Sequence, residues 1–363
     1  MRRFSLPRPW VGPALVAFAF FVLLAVRAGA GDGFRYVRVI QAGDRYARPG
    51  VLLPGQSPVH GTGYDGQFAF YIGGDPFLRN SDTARSLDNS LRYRRILYPL
   101  LAWLLSAGQR TLLPYVLMAI NVVASTVSVG LAAWAAHRRG RSPWFALVLP
   151  AFAGVWVPVL SDLTEPTQLA FLAAGALTGS AALTLLAALA KETAGVALAV
   201  EAARAAVARN WPRLARFAAA AVLLAAWSLF VQRVIVGPHE NTLGGHLLDP
   251  PGAPFLVLVR SAGEPVRLVL TAAAVAVCLA AVLRLVWHRD SAAWWGAGYA
   301  VLALAAGDDT WRDPVAFYRV MAGAVLLLFL SWAVHGDRIA RWALIASAVT
   351  GLFALVPVLL LSR

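Results

Sequence analysis

Residues 112–141 read LLPYVLMAINVVASTVSVGLAAWAAHRRGR, an apolar run of more than 20 residues that ends in three arginines. A run of about 20 apolar residues is the length a helix needs to cross a hydrocarbon core of about 30 Å. Backbone polar groups cannot stay unpaired in lipid, and this run is a solid Leu/Ala/Val block without the alternation of a barrel strand, so it predicts an α-helix. The same pattern recurs along a chain of 363 residues that is 59% hydrophobic and only 14% charged. The fold class expected is all-α, a polytopic membrane protein, and a soluble core is excluded.

The net charge of +14 is spread as arginines between the apolar runs, where it sets topology and meets anionic headgroups. No basic motif of the nucleic-acid-binding classes is present, so no nucleic-acid partner is expected. Of the 32 basic residues only Lys191 is lysine. The single cysteine, Cys278, lies in an apolar run, which excludes a disulfide framework and predicts a buried, inert thiol. The N-terminus has the basic start and apolar run of a signal peptide, but with further spans downstream it is expected to stay as the first helix.

The hydropathy places spans at about 10–28, 112–136, 143–160, 166–179, 180–192, 193–208, 217–236, 264–287, 291–307, 315–335 and 340–361, about eleven in all. Those between 166 and 208 are too short to cross as straight helices, which predicts breaks or tilts there. The basic segments 137–141, 204–216, 287–290 and 337–341 then fall on the cytoplasmic side with the N-terminus, and the C-terminus falls outside. The segment 94–108, RRILYPLLAWLLSAG, has to be denied a crossing and is expected to lie on the outer surface as an interfacial helix. Of the 18 carboxylates only Glu201, Asp290 and Asp337 fall inside, so the chemistry is expected on the extracytoplasmic face.

Residues 1–363 are expected to form one integral-membrane domain, in which 30–110 is a long first extracytoplasmic loop carrying short amphipathic helices. Its aromatics argue for order, and loops of this length are usually functional or disordered. Within it, TGYDGQFAFYI predicts a short helix with Tyr64, Phe68, Tyr71 and Ile72 as one apolar stripe, ended by the GGDP breakers.

Asp65 falls in the first turn of that helix. A carboxylate near apolar walls has its pKa raised and can serve as a general base, while the plainer alternative is that it favours the helix N-terminus electrostatically. Asp75, before Pro76, is a turn former or a substrate contact. In SDLTEPTQLAF, 161–171, helix capping accounts for Ser161, Asp162 and Thr164, and Pro166 suits a first helical position. Glu165 is left over, to face Asp65 across a cavity and bind a sugar hydroxyl or a divalent metal. Lys191 and Glu192 sit inside an apolar stretch, where an ionisable residue costs about 2.5–3.5 kcal/mol on insertion scales. Adjacent helical positions do not face each other, so a mutual salt bridge is not expected. Lys191 suits a phosphate oxygen as a point charge, and the alternative is that each residue pairs with another helix.

In GDDTWRDPVAFYR, 307–319, Arg312 and Arg319 are seven apart, and on a helix that starts early they would share one face as a clamp for a lipid phosphate. Asp308 and Asp309 neutralising them as a surface network is the equal alternative. His239 and His246, in a Gly/Pro-rich loop, are weak metal evidence. The GTG before Tyr64 is no nucleotide fingerprint, because no strand precedes it.

Taken in order along the chain, these segments resemble the GT-C superfamily of integral-membrane glycosyltransferases, most closely the bacterial relatives of the GPI-anchor mannosyltransferases that add the second mannose. The Trp-Asp-Gly-Gln-Trp-Tyr type motif of that family resembles Tyr64-Asp65-Gly66-Gln67-Phe68, with Tyr71 further on. Its acidic junction between later spans resembles Thr164-Glu165-Pro166, its Lys/Arg-Glu element Lys191-Glu192, and its C-terminal arginine Arg319.

The resemblance implies an inverting transfer of a sugar, mannose among the candidates, from a polyprenyl-phosphate donor to a lipid, glycan or protein acceptor at a bacterial plasma membrane. Asp65 would be the general base. Tyr64, Gln67, Phe68, Tyr71, Asp75, Glu165 and Glu192 would bind substrate, with Lys191, Arg312 and Arg319 on the phosphate. The helix over 94–108 would roof the lipid entrance. A polytopic transporter or flippase of a lipid-linked sugar, or a non-catalytic assembly subunit, would share the spans and the intramembrane charges.

Overall fold

In the computed structural model, which describes residues 8–31, 33–235 and 253–361, the helix Pro314–His335 lies at the centre of the molecule. All of its residues from Met321 to Leu330 are buried, because the helix is apolar all round and neighbours cover every face. It packs against Leu113–Arg138, Ala153–Leu160, Glu165–Thr178, Pro265–Leu283 and Ser291–Leu304. The first helix, Val11–Ala30, lies along Leu113–Arg138. Among the described residues the regular structure is helical, with two isolated β-bridges, Ala42 to Gly63 and Gly43 to Val59.

Among the described residues six helices are long and apolar enough to cross a membrane: Val11–Ala30, Arg110–Arg138, Trp211–Arg233, Pro265–Val286, Val315–His335 and Arg338–Leu355. Their outward faces carry exposed Leu15, Leu23, Val123, Leu223 and Phe353, the pattern of surfaces that meet lipid. The expected span at 143–160 is a bent pair, Pro143–Ala151 and Ala153–Leu160, that turns by 58° where Phe152 adopts an extended backbone. Counting that pair as one span makes seven, so the expected number of about eleven is not reached.

Three of the four expected spans that are missing lie where the sequence predicts breaks, and the fourth is 291–307. Glu165–Thr178, Ala181–Ala190 and Gly195–Val207 have 14, 10 and 13 residues, and Ser291–Leu304 has 14. At 1.5 Å per residue the longest of these reaches only about 21 Å. Gly179 takes the left-handed conformation that closes the first of them, and Ser180 accepts from the Leu183 amide to start the next. Lys191 is extended and interrupts the path between Ala190 and Gly195.

The first loop has a small core of its own, built on Ile40, Val51, Phe70, Tyr93, Tyr98 and Leu113. At its centre the helix Gly66–Gly74 is buried from Gly66 to Gly73, so it is not the amphipathic surface helix the stripe predicts. Loop residues hold it: Gln67 accepts from the Gly43 amide at 2.9 Å and from the Tyr71 hydroxyl at 3.2 Å, and its amide donates to the Thr62 carbonyl at 2.7 Å. The segment over 94–108 contains the nine-residue helix Leu97–Leu105, which buries Tyr98, Pro99 and Ala102 against Gly66–Gly74 and Leu113–Arg138 and exposes Leu104 and Leu105.

The basic segments assigned to one side of the membrane meet at one end of the bundle. Arg141 donates to the His335 carbonyl, His335 pairs with Asp290 at 2.8 Å, and Arg284 pairs with Asp337. Close by, Glu201 accepts from Arg204 and the Trp295 indole and forms an ion pair with Arg213, and Arg204 also reaches Ser291. The first loop occupies the other end. His239 and His246 lie outside the described residues, as do the side chains of Asp308 and Asp309.

Candidate functional site

The site forms where the N-terminal end of Gly66–Gly74 meets the turn after Ala153–Leu160 and the second turn of Pro314–His335. Two close backbone approaches hold these elements. A Cβ at Gly66 would collide with the Ser161 carbonyl, and one at Gly154 with the Tyr318 carbonyl, so only glycine lets either pair touch. The second contact positions Arg319 directly.

Arg319 is the hub. Its Nε donates to Glu165 Oε1 at 2.7 Å, its Nη2 to Asp65 Oδ2 at 3.1 Å and its Nη1 to the Tyr64 hydroxyl at 3.2 Å. Lys191 Nζ donates to the same Glu165 Oε1 at 2.6 Å. Arg92, from the short helix Leu91–Arg94, reaches Asp65 Oδ1 at 2.9 Å, holds Asp88 one turn behind it and lies over the Phe68 ring at 4.6 Å. Arg95 makes a two-pronged pair with Glu192 at 2.7 Å on each prong. Four cations and four carboxylates therefore neutralise one another in a partly dry layer. Glu165 is wholly buried, whereas the Asp65 side chain keeps 30% exposure and stays within reach of a ligand.

These pairings revise several expectations. Asp65 caps no helix amide, and its carboxyl is not raised. Burial alone would raise it, but Arg92 and then Arg319 outweigh burial and hold it well below the usual carboxylate range. As expected, Lys191 and Glu192 do not pair with each other. Each joins a different element, which is the assembly alternative for both. Arg312 and Arg319 share no helix: Asp313 and Pro314 separate Asp308–Arg312 from Pro314–His335, because proline opens the second helix. Arg312 instead lies beside Arg267, which donates to its carbonyl at 3.0 Å. Asp75 accepts from the Arg79 and Asn80 amides at 3.0 and 2.8 Å, the turn-forming role. Gln67 and Tyr71 face the core of the loop.

The structure thus brings together Tyr64, Asp65, Phe68, Glu165, Lys191 and Arg319, with Glu192 one pair away. It adds Arg92, to which the sequence assigns no role, Arg95, placed at the interfacial start, and Asp162, placed as a cap. The only sequence signal for the arginines is the dense RYRR run ahead of an apolar helix. Thr164 caps the helix Glu165–Thr178 with no side-chain bond, and neither carboxylate oxygen of Asp162 has a hydrogen-bond partner.

Asp65, Phe68, Arg92, Asp162, Thr164 and Arg319 line a pocket of about 20 Å³, room for roughly one water. An apolar groove of about 540 Å³ is lined by Leu101, Leu105, Val123, Ala170, Ala174 and Leu183. The same two segments contribute to both cavities: Pro99 and Thr164 line the pocket, and Leu101 and Thr167 line the groove. A divalent metal does not fit this donor set, since Arg319 occupies both Asp65 and Glu165. Among the described residues no three His, Cys, Asp or Glu side chains cluster to hold one.

These features define an all-α protein with helices of the length and composition of membrane spans and a charged pocket at one end. No protein-family model, curated protein or solved structure matches the chain.

Proposed function

We propose that this protein is a GT-C-like membrane glycosyltransferase that moves a sugar from a polyprenyl-phosphate donor to an acceptor hydroxyl on the extracytoplasmic side. The observation that carries this reading is a charged pocket and an apolar groove to which the same two segments, around residues 99–101 and 164–167, contribute lining. A lipid phosphate has the same two parts, an anion and a long apolar chain. The groove volume falls in the range of about 300–1,000 Å³ usual for small-molecule sites.

Arg92 and Arg319, which line the pocket, are the phosphate-binding cations of this reading, and Lys191 stands behind them on Glu165. The incoming phosphate competes with Asp65 for Arg92 and Arg319, which frees the carboxylate at the moment the donor is in place. The acceptor oxygen then bonds to the anomeric carbon, the bond from that carbon to the phosphate oxygen breaks with its electron pair left on phosphate, and the acceptor proton passes to Asp65. The arginines stabilise the charge that builds on the leaving phosphate. Tyr64 and Phe68 flank the sugar.

The test is transfer of labelled sugar from polyprenyl-phosphate-mannose, with the arabinose and glucose donors in parallel, by membranes carrying wild type or Asp65→Asn. Loss of the base should lower turnover by about 10²–10⁴ while the protein still inserts. Normal transfer by the mutant rules out Asp65 as the base. Movement of the sugar lipid across liposomes with no new covalent product identifies a transporter instead.

A further inference from the structure

Asp162 is the one carboxyl lining the pocket that no cation holds. It sits on the turn between Ala153–Leu160 and Glu165–Thr178, with a positive φ of 48° that costs a non-glycine residue energy but that aspartate tolerates better than most. Its exposure is 0%, and both carboxylate oxygens lack a partner. A buried charge with neither a counter-ion nor a hydrogen bond is far too costly to persist, so the group is held as the neutral acid, and burial pushes its carboxyl well above the ordinary value. Its neighbour Asp65 is driven the opposite way by two guanidinium groups. Two carboxyls of one pocket with opposed environments are suited to opposed tasks, one ionised and one carrying its proton.

Capping, the ordinary reason for an aspartate before a helix, does not apply here. What remains is a hydrogen-bond donor at the edge of a site whose other charges already balance. An ionised Asp162 would repel an anion arriving beside Asp65, whereas a neutral one donates to it.

Building on the transferase reading above, we infer that Asp162 is a further catalytic residue, whose carboxylic acid donates a hydrogen bond to a phosphate oxygen of the donor. The proton stays on Asp162. The bond strengthens as the sugar departs and negative charge builds on that oxygen, which is the condition for lowering a barrier rather than only binding tightly.

The experiment uses the full chain in detergent and reads two quantities for wild type, Asp162→Asn and Asp162→Ala: affinity for polyprenyl phosphate, and sugar transfer. Thermal unfolding of each variant establishes folding. Asn keeps a neutral donor, so it should stay within about threefold of wild type in affinity, while Ala should lose about 10- to 100-fold, the worth of a hydrogen bond to a charged group. In transfer, Ala should lose at least as much in kcat as in affinity. Equal losses in Asn and Ala overturn the assignment, because an ionised carboxylate fails in both whereas a neutral donor survives in Asn. Wild-type affinity in Ala overturns it as well. If Ala does not fold, Asp162→Ser, which retains a shorter donor, takes its place and should fall between wild type and a tenfold loss; wild-type affinity in Ser together with a loss in Asn overturns the assignment. Binding that depends on Asp162 without any sugar transfer would leave this contact standing and remove the transferase reading. Transfer that is indifferent to Asp162 would do the reverse.

Discussion

Arg319 ties Asp65 to Glu165, donating to the first through Nη2 at 3.1 Å and to the second through Nε at 2.7 Å. One guanidinium thereby joins the first loop, the Glu165–Thr178 helix and the central helix. Its planar fork makes both bonds at once, which an ammonium on a flexible stem cannot.

Arg319→Met should therefore destabilise the protein by about 3–5 kcal/mol, the cost of leaving a buried carboxylate short of a partner. Arg319→Lys should recover part of that, since it can satisfy one carboxylate, while restoring little sugar transfer. Thermal unfolding in detergent and the transfer assay read the two effects separately. Equal stability of the Met variant and wild type would remove Arg319 as the hub.

Gly66→Ala adds a methyl group that meets the Ser161 carbonyl. The helix must move off the 161–162 turn, at about 1–3 kcal/mol for overpacking, and Asp65 moves with it. Lower thermal stability together with a loss of transfer is the expected result. A variant as stable and active as wild type would show that this backbone contact does not position Asp65.

Ala174→Phe fills part of the apolar groove some distance from the charged pocket. Displacing two methylene equivalents of a bound lipid chain forfeits about 1.6 kcal/mol, roughly a factor of 15. KM for a long-chain donor should rise by about that factor, with kcat and the KM of a short-chain donor nearly unchanged. An unchanged long-chain KM would show that the chain lies elsewhere.

The Asp65 carboxyl has a depressed pKa in the folded protein, so its ion pairs stabilise the fold fully above the unfolded carboxylate value of about 3.9. That contribution is lost as pH falls further, through the folded value. The gap in melting temperature between wild type and Asp65→Asn should stay constant from pH 8 to about pH 5 and close below about pH 4. A gap that closes between pH 7 and 5 would mean that the carboxyl is raised instead.

Much of the architecture was legible in the sequence because lipid imposes long, uniform apolar runs. Residues 112–141 announce their helix, and the basic segments at 137–141, 204–216 and 287–290 announce the end of the bundle where they meet. The breaks between 166 and 208 were legible too, from length alone. The number of crossings was not, because an apolar run of 10 to 14 residues has the same composition whether it crosses or is buried among other helices. The stripe on Gly66–Gly74 misled for a related reason: a nine-residue helix shows too few turns to distinguish one apolar face from burial on every side.

The sequence by itself determined an all-helical, lipid-adapted chain, marked Lys191 and Glu192 as charges too costly to be idle, and offered Asp65, Glu165 and Arg319 as candidates beside them. Tertiary structure decided what those charges do. Ion-pair partners here lie up to 254 positions apart, and no local pattern encodes which cation reaches which carboxylate. The same holds for Asp162, which has the sequence signature of a cap and becomes an unpaired acid only because the turn it occupies is folded against the first loop.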